Sequence, residues 1–249
     1  MKNKWYKIFN DSRFFYNRES NKIKYLNKNY SFTAFKLCEV IYPELTYKKF
    51  TNIIKFQISN LMIKKNYSIL DFGSGNGAFL YYFKNKFNLK NNYSFEVSRP
   101  LLNFQKKILK ETFFIQTHYK HNNSLRDLKD NMVDYSICNS VFQYFPSEIY
   151  ARNVLEFLIR ISRKSILIYD IKNLRTKKTY KEKVRKRQRL NNKDFIIKYK
   201  NTPIRFYKKS YFEKILGVLK KKYSFEYKFL KLPIDATDYK FGYCLLIRK

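Results

Sequence analysis

Three glycines follow an acidic residue in the segment Asp71–Gly77, which has the sequence DFGSGNG. The chain has only 5 glycines in 249 residues, and Gly73, Gly75 and Gly77 fall within five positions. Glycine is used where the main chain takes a positive φ or approaches a ligand closely. The preceding SILD is typical of a strand and the following AFLYYF of a helix. The spacing therefore predicts a nucleotide-type binding loop between a strand and a helix.

A second acid, Glu96, ends the next predicted strand, nineteen residues after Gly77. A carboxylate at that place can accept hydrogen bonds from both hydroxyls of an adenosyl ribose. Asp71 separates the candidate cofactors, because a dinucleotide pyrophosphate is anionic and disfavours a neighbouring carboxylate. S-adenosylmethionine carries an ammonium, a sulfonium and a carboxylate, which suit an acid beside glycine N–H groups. These residues favour S-adenosylmethionine, although the glycine spacing also satisfies the relaxed dinucleotide pattern.

Five short β-rich runs alternate with amphipathic stretches and position these residues. The runs are Tyr67–Asp71, Tyr93–Val97, Thr112–Gln116, Val133–Cys138 and Ser165–Ile171. This alternation predicts an α/β fold with a parallel sheet covered by helices on both faces. After a helix at about Ser210–Lys220, the runs Tyr223–Lys231 and Phe241–Arg248 are joined by a short connection, which predicts an antiparallel pair.

The whole chain is predicted to be one domain with three parts. The parts are an N-terminal helical segment (1–65), a sheet core (66–171 and 208–249) and an insert (172–207). In the first part, Thr46–Ile63 has apolar residues at helical spacing. The middle of the insert, Arg175–Arg189, carries nine basic residues and one acid. It predicts a cationic helix that lies like a lid over the open end of the sheet.

The chain carries a net charge of +34, from 53 lysine and arginine residues against 19 aspartate and glutamate residues. Such an excess is typical of proteins that bind nucleic acid or an anionic membrane. Lysine outnumbers arginine 40 to 13, however, and residue types with A/T-rich codons are abundant. Coding bias explains the lysines but not the shortage of acids, so charge alone leaves the partner open.

Cysteine and histidine usage gives no pattern of metal ligands. Cys38, Cys138 and Cys244 are scattered, and His118 and His121 stand three apart without a cysteine nearby. We therefore expect no metal, and the odd cysteine count favours a reducing cytoplasm. No apolar stretch approaches the roughly 18 residues that span a bilayer, and no leader-like segment begins the chain.

Three segments resemble the class I S-adenosylmethionine-dependent methyltransferases. Ser68–Gly77 looks like their first motif, Phe95–Ser98 like their acid-ending second strand, and Asp134–Phe145 like their fourth strand with the loop after it. The resemblance covers about Met62–Lys249, and the first motif is its specific part. It implies a Rossmann-like sheet of seven strands, mostly parallel, with the last strand antiparallel.

The resemblance also implies the residues that bind S-adenosylmethionine. Asp71, Gly73, Ser74, Gly75 and Gly77 would line its methionine part, Glu96 would bind the ribose, and Asn139 and Ser140 would border the sulfonium. Many members carry an acid after the third strand that meets the adenine amino group. The corresponding segment Thr117–Ser124 has no acid, and it offers only Asn122 or Asn123 for that role.

For the acceptor, we expect transfer of a methyl group to an O or N atom of a small molecule, such as a metabolite, sugar or natural product. An anionic acceptor, such as a phosphate-bearing sugar, fits the basic insert. Adenine and amide methyltransferases of the class that this chain resembles carry a Pro-Pro-aromatic motif after the fourth strand. This chain has Asn139–Phe142 at that place. Arg205–Tyr207 are expected near the acceptor, where the lid rejoins the core. Asp170 and His118 face the same rim, but the catalytic residues are left unassigned.

Three other functions compete with this one. An RNA methyltransferase would use the basic insert to bind phosphates, with a steep dependence on salt. A non-catalytic binding module would have no need of Asp71, the glycine loop and Glu96. A nicotinamide-dependent enzyme is disfavoured by Asp71.

Overall fold

The computed structural model describes residues 29–41, 44–117, 125, 128–199, 204–234 and 240–249. Within these ranges seven strands form one sheet, in the order β3-β2-β1-β4-β5-β7-β6. The strands are β1 (Ile69–Phe72), β2 (Asn92–Glu96), β3 (Thr112–Gln116), β4 (Val133–Asn139), β5 (Ser162–Lys172), β6 (Glu226–Lys231) and β7 (Gly242–Arg248). β1 to β5 are parallel, whereas β7 is antiparallel to both β5 and β6. The predicted sheet, including its reversed last strand, is confirmed.

Helices join and cover the strands, and polar caps define where several of them begin. The helices are α1 (Tyr30–Ile41), α2 (Tyr47–Leu61), α3 (Ala78–Phe87), α4 (Arg99–Ile108), α5 (Glu148–Ile161), α6 (Lys177–Arg187), α7 (Asn192–Tyr199) and α8 (Lys209–Leu219). The hydroxyl of Ser147 accepts a hydrogen bond from the N–H of Tyr150 at the start of α5. Ser98 caps α4, with Pro100 in the first turn, as its sequence predicts.

The sheet separates two apolar cores. One core joins the sheet to α5 and α8, and it includes Phe72, Phe95, Val154, Leu158 and Phe212. The other joins the sheet to α1 through α4, and it includes Phe50, Ile54, Ile69, Leu80 and Ile137. β1 is therefore buried on both faces, as the strands of a parallel sheet usually are. Burying each such side chain contributes about 1.5–3 kcal/mol, so the sheet forms a rigid base for the loops at its carboxyl edge.

The insert forms a small structure of its own at the carboxyl end of β5. The predicted cationic helix appears as α6, and a second helix, α7, follows it, which the sequence pattern did not indicate. Tyr180 and Val184 of α6 pack with Phe241, which precedes β7. The ammonium of Lys172 lies 5.0 Å from the ring centroid of Tyr180. The helical part of the insert thus packs in a small cluster at the end of the sheet, whereas Tyr207, at the return of the insert, is buried in the large core beside α5 and α8.

Two findings concern the environment of the protein. In the part of the chain that the structure describes, no helix combines the length and apolar character needed to cross a bilayer. Cys38, Cys138 and Cys244 are all free and buried.

Candidate functional site

The predicted glycine loop connects β1 to α3 at the carboxyl edge of the sheet. Gly73, Gly75 and Gly77 have φ values of +72°, +58° and +82°, a region that other residues rarely adopt. A Cβ atom on Gly73 would lie 2.5 Å from Cγ2 of Val141. The N–H of Gly73 donates to the carbonyl of Phe95 at 2.7 Å, which ties the loop to β2. The close approach and the positive φ together require glycine at this position.

The side chain of Ser74 belongs to a buried polar network beneath the loop. Its hydroxyl lies 2.7 Å from that of Ser94 and accepts from Nε2 of Gln105 at 2.9 Å. The same nitrogen of Gln105 donates to the carbonyl of Gly75 at 2.6 Å. This network holds the shape of the loop, and a direct contact of Ser74 with a cofactor stays a prediction.

Glu96 ends β2, as its sequence predicts, and its carboxylate is held by main-chain donors. Oε2 accepts from the N–H of Gly75 at 2.8 Å, and Oε1 accepts from the N–H groups of Val97 and Ser98 at 2.8 and 2.9 Å. Burial raises the pKa of Glu96 to about 7, against the opposite effect of these three hydrogen bonds. A carboxylate has about four acceptor sites, so the group retains capacity for a further donor.

Asp71 lies beside this loop and is only 1% exposed. Neither of its carboxylate oxygens has a hydrogen-bond partner among the described residues. Burial raises the pKa of Asp71 well above its ordinary value, and the charge of Glu96 raises it further. A buried carboxyl group without a partner is costly, and a bound cation would satisfy it.

Asn139 and Ser140 follow at the end of β4, and they face different neighbours. Oδ1 of Asn139 accepts from Nε2 of Gln57 at 2.8 Å. The hydroxyl of Ser140 donates to Oδ2 of Asp170 at 2.8 Å, and the ammonium of Lys172 donates to Oδ1 of Asp170 at 2.9 Å. Asp170 therefore accepts hydrogen bonds from both Ser140 and Lys172.

The residues where the insert rejoins the core pack against the loop after β4. The N–H of Arg205 donates to the carbonyl of Gln143 at 2.9 Å, and its guanidinium donates to the carbonyls of Phe145 and Pro146. The hydroxyl of the buried Tyr207 donates to the carbonyl of Phe142 at 2.9 Å. These contacts fix the return segment of the insert over the carboxyl edge.

Several candidate residues lie outside the described part of the chain. They are His118, His121, Asn122 and Asn123. Within the described residues, no group of three or more His, Cys, Asp and Glu side chains could hold a metal ion. Phe142 and Phe145 are buried in the core beside α5.

Sequence reasoning missed two buried polar side chains at the site, one in α2 and one within the glycine motif. Gln57 is fully buried in α2, where the spacing of Ile53, Ile54 and Leu61 predicts an apolar position. Nδ2 of the buried Asn76 donates to the carbonyl of Leu37 in α1 at 2.5 Å. A polar residue inside an apolar stripe was the available indication for Gln57, whereas nothing local indicated the contact of Asn76.

The family model of the methionine biosynthesis protein MetW matches residues 54–211, which is well over half of the chain. The chain belongs to the MetW family. The matched range begins in α2 and ends in α8, so it contains the glycine loop, Glu96 and the insert. No curated protein sequence matches this MetW-family chain.

Solved structures with very different sequences share the fold of this MetW-family chain. The putative methyltransferase in complex with the Haloferax volcanii Trm112 activator has a TM-score of 0.57 and 10% identity, over 90% of this chain and 98% of that chain. Magnesium protoporphyrin IX methyltransferase from Synechocystis PCC 6803 has a TM-score of 0.55 and 12% identity, over 98% and 94%. The plantazolicin methyltransferase BpumL has a TM-score of 0.55 and 16% identity, over 99% of both chains. The class I methyltransferase fold is therefore confirmed.

Proposed function

We propose that this chain is an S-adenosylmethionine-dependent methyltransferase that acts on an O or N atom of a small-molecule acceptor. The observation that carries the proposal is the carboxyl group of Asp71, which is buried beside a glycine loop at the carboxyl edge of the sheet and has no hydrogen-bond partner in the described part of the chain. A dinucleotide phosphate would add a second negative charge there, whereas the ammonium of S-adenosylmethionine would complement it. The shared fold supports this interpretation without proving the activity.

Each predicted site residue has a role that its surroundings support. Asp71 would accept from the ammonium of the cofactor, and the remaining acceptor capacity of Glu96 suits the ribose hydroxyls. The positive φ values of Gly73, Gly75 and Gly77 let the main chain come close to the methionine part. Asn139 and Ser140 would border the sulfonium, and Ser74 would support the loop from beneath.

When bound, the cofactor supplies a methyl group on a sulfonium leaving group, so the protein mainly has to align the acceptor with it. Ser140, Asp170 and Lys172 form a hydrogen-bonded row at the ends of β4 and β5, where the acceptor has to enter. This row can orient a polar acceptor, and Lys172 can offset negative charge on it. No catalytic base is assigned, because Asp170 is already engaged by Ser140 and Lys172.

The fixed position of the insert supports a small acceptor. Arg205 and Tyr207 attach the insert to the loop after β4. An insert held there would cover a small acceptor and exclude water from it. Two structural neighbours are methyltransferases named for their substrates, which are magnesium protoporphyrin IX and plantazolicin. We propose a reducing compartment such as the cytoplasm for this activity, since the three free cysteines form no disulfide.

RNA is the second candidate acceptor, and the exposed lysines of α6 favour it. Lys177, Lys178 and Lys181 lie on the surface of the insert, where they can contact phosphates. One structural neighbour is a putative methyltransferase in complex with the Trm112 activator.

Two measurements test the proposal in sequence. Calorimetric titration with S-adenosylhomocysteine should show binding to the natural protein and much weaker binding to the Asp71→Asn variant. Labelled S-adenosylmethionine is then added to an extract of the source cell, with and without prior RNase treatment. Label in a small-molecule fraction after RNase supports the proposed acceptor class. Label that RNase abolishes identifies RNA, and failure to bind S-adenosylhomocysteine removes the proposed activity altogether.

A further inference from the structure

Gln57 is a polar residue at a core position of α2, a helix of the N-terminal segment. It is completely buried, and its neighbours along the same stripe of α2, Ile53, Ile54 and Leu61, all pack into the apolar core. Burying an amide is unfavourable unless its hydrogen bonds are made. An aliphatic side chain would serve packing better, so Gln57 requires another explanation.

Gln57 forms an amide pair with Asn139 that leaves polar atoms over. Nε2 of Gln57 donates to Oδ1 of Asn139 at 2.8 Å. Oε1 of Gln57 and Nδ2 of Asn139 are buried without a partner among the described residues. If both amides were turned over, the bond between them would persist with its direction reversed. In either orientation the pair leaves one free acceptor and one free donor.

The pair lies on the same face of the sheet as Asp71. Asp71 is in register with Ile137 in the neighbouring parallel strand, and Asn139 is two residues beyond Ile137. Side chains two apart on a strand share a face, so Asp71 and Asn139 face the same side. α2 covers that side, since Ile137 packs in the same core as Ile54. Asp71, Asn139 and the Gln57 that bonds Asn139 therefore all lie on this one side of the sheet.

The unsatisfied atoms match the two ends of a zwitterionic amino acid. The oxygens of Asp71 and the acceptor of the amide pair suit an ammonium, and the donor of the pair suits a carboxylate. An adenosine derivative without an amino-acid part would leave all of them unsatisfied. Leaving buried polar groups unpaired is the strongest way in which a site rejects a ligand that lacks the matching group.

We propose that Gln57 is a specificity residue that, together with Asn139, recognises the amino-acid part of the cofactor. This inference rests on the proposed function, and it assigns a share of cofactor recognition to α2. It also explains why a core position holds an amide.

The test compares three ligands that share the adenosine and thioether groups. They are S-adenosylhomocysteine, its analogue that lacks only the amino group, and 5′-methylthioadenosine, which lacks the whole amino-acid part. Calorimetry measures the affinity of each for the natural protein and for Gln57→Met, which keeps the length of the side chain without its amide. Gln57→Met should lower the affinity for S-adenosylhomocysteine about 10- to 100-fold, because a hydrogen bond to a charged group is lost. The affinity for 5′-methylthioadenosine should change less than about twofold.

Two further variants separate recognition from packing. Ile54→Val alters the same helix without removing a polar atom, and it should leave all three affinities unchanged. Gln57→Glu keeps an acceptor oxygen that Asn139 can bond, and it should retain most of the preference for S-adenosylhomocysteine over the analogue without the amino group.

The possible results distinguish this inference from the proposed function. If Gln57→Met lowered the affinity for all three ligands equally, or for none of them, the proposed role of Gln57 would be wrong. The methyltransferase proposal would remain intact. If the natural protein binds none of the three ligands, the proposed function itself fails. If Gln57→Met does not fold, the test rests on Gln57→Glu. The inference is contradicted if this variant no longer prefers S-adenosylhomocysteine over the analogue without the amino group.

Discussion

Two buried aspartates lie at opposite ends of the sheet and have opposite surroundings. Asp134, at the amino end of β4, accepts through Oδ2 from the N–H of Ser68 at 2.9 Å, from the Ser68 hydroxyl at 2.8 Å and from Arg163 at 3.0 Å. Asp71, near the carboxyl end of β1, has no hydrogen-bond partner for either oxygen among the described residues. An aspartate therefore links neighbouring strands through hydrogen bonds at position 134. At position 71 its oxygens have no hydrogen-bond partner in the described part of the chain.

The difference separates residues that stabilise the fold from residues that bind. A fully bonded buried carboxylate contributes to stability, whereas an unbonded one lowers it until a ligand arrives. The amino edge of the sheet is thus optimised for folding, and the carboxyl edge gives up some stability for binding. Proteins often accept such local instability where they bind a ligand.

The largest effect is expected at the glycine loop. Gly73→Ala places a Cβ atom 2.5 Å from Val141 at a φ of +72°. It should lower the free energy of unfolding by about 2–4 kcal/mol and weaken binding of S-adenosylhomocysteine by at least about 100-fold. Urea unfolding and calorimetry measure the two effects.

Gly217→Ala is the matched control, because Gly217 lies in α8 with nothing within 4 Å of an added Cβ atom. It should raise the free energy of unfolding by about 0.5–1 kcal/mol and leave binding unchanged. This prediction would be wrong if Gly217→Ala lowered the free energy of unfolding and the affinity for S-adenosylhomocysteine as much as Gly73→Ala does.

Exchange of each aspartate for asparagine tests the comparison directly. Asp71→Asn should lower the affinity for S-adenosylhomocysteine about 10- to 100-fold, because an ammonium loses its carboxylate. The free energy of unfolding should stay unchanged or rise, since no hydrogen bond of Asp71 is lost. Asp134→Asn should instead lower the free energy of unfolding by about 1–3 kcal/mol and leave the affinity within about twofold. A stability loss in Asp71→Asn as large as that in Asp134→Asn would contradict the distinction.

The two acids of the site should make stabilisation by ligand depend on pH. Glu96 has its pKa raised from 4.5 to about 7, and the pKa of Asp71 is raised as well. The contribution of Glu96 to the stability of the free protein is therefore full below about pH 4.5 and is lost as the pH rises through about 7. The contribution of Asp71 is likewise lost as the pH rises.

S-adenosylhomocysteine offers an ammonium and ribose hydroxyls, and both favour the ionised carboxylates. The rise in melting temperature that it causes should therefore be larger at about pH 8 than at about pH 6. Thermal unfolding with and without saturating ligand measures this. Asp71→Asn should reduce the difference, and a rise independent of pH in the natural protein would count against the proposed contacts.

The smallest effects are expected from surface charge. Replacing Lys177, Lys178 and Lys181 of α6 by alanine should change the free energy of unfolding by no more than about 0.5 kcal/mol and should not alter binding of S-adenosylhomocysteine. The control is a triple variant of the exposed lysines near the amino edge, at positions 64, 65 and 90. Filter binding of RNA across a range of salt should weaken equally in both variants. Selective loss in the α6 variant would favour RNA as the acceptor.

Sequence patterns predicted what depends on local geometry. Glycines at positive φ, the cap Ser98 and the acid Glu96 at a strand end each follow from rules that operate over a few residues. The number of strands and the reversed last strand followed from the resemblance to a known family.

Contacts between distant segments could not be predicted in this way. The pairing of Gln57 with Asn139 joins residues 82 positions apart, and the bond from Asn76 to Leu37 spans 39. Both depend on how helices pack on the sheet, which no local rule determines. α7 was missed for a related reason, because its Phe195 and Tyr199 pack against the small cluster of Tyr180, Val184 and Phe241.

The position of β7 has a consequence for how the protein is made. β7 lies between β5 and β6 although it follows both in the chain, so residues 242–248 supply the neighbour of each. Until they leave the ribosome, β5 has an open apolar edge that other chains can pair with. The nascent sheet is thus most prone to aggregation after β6 has emerged and before β7 has, when its other strands exist and the strand between β5 and β6 does not.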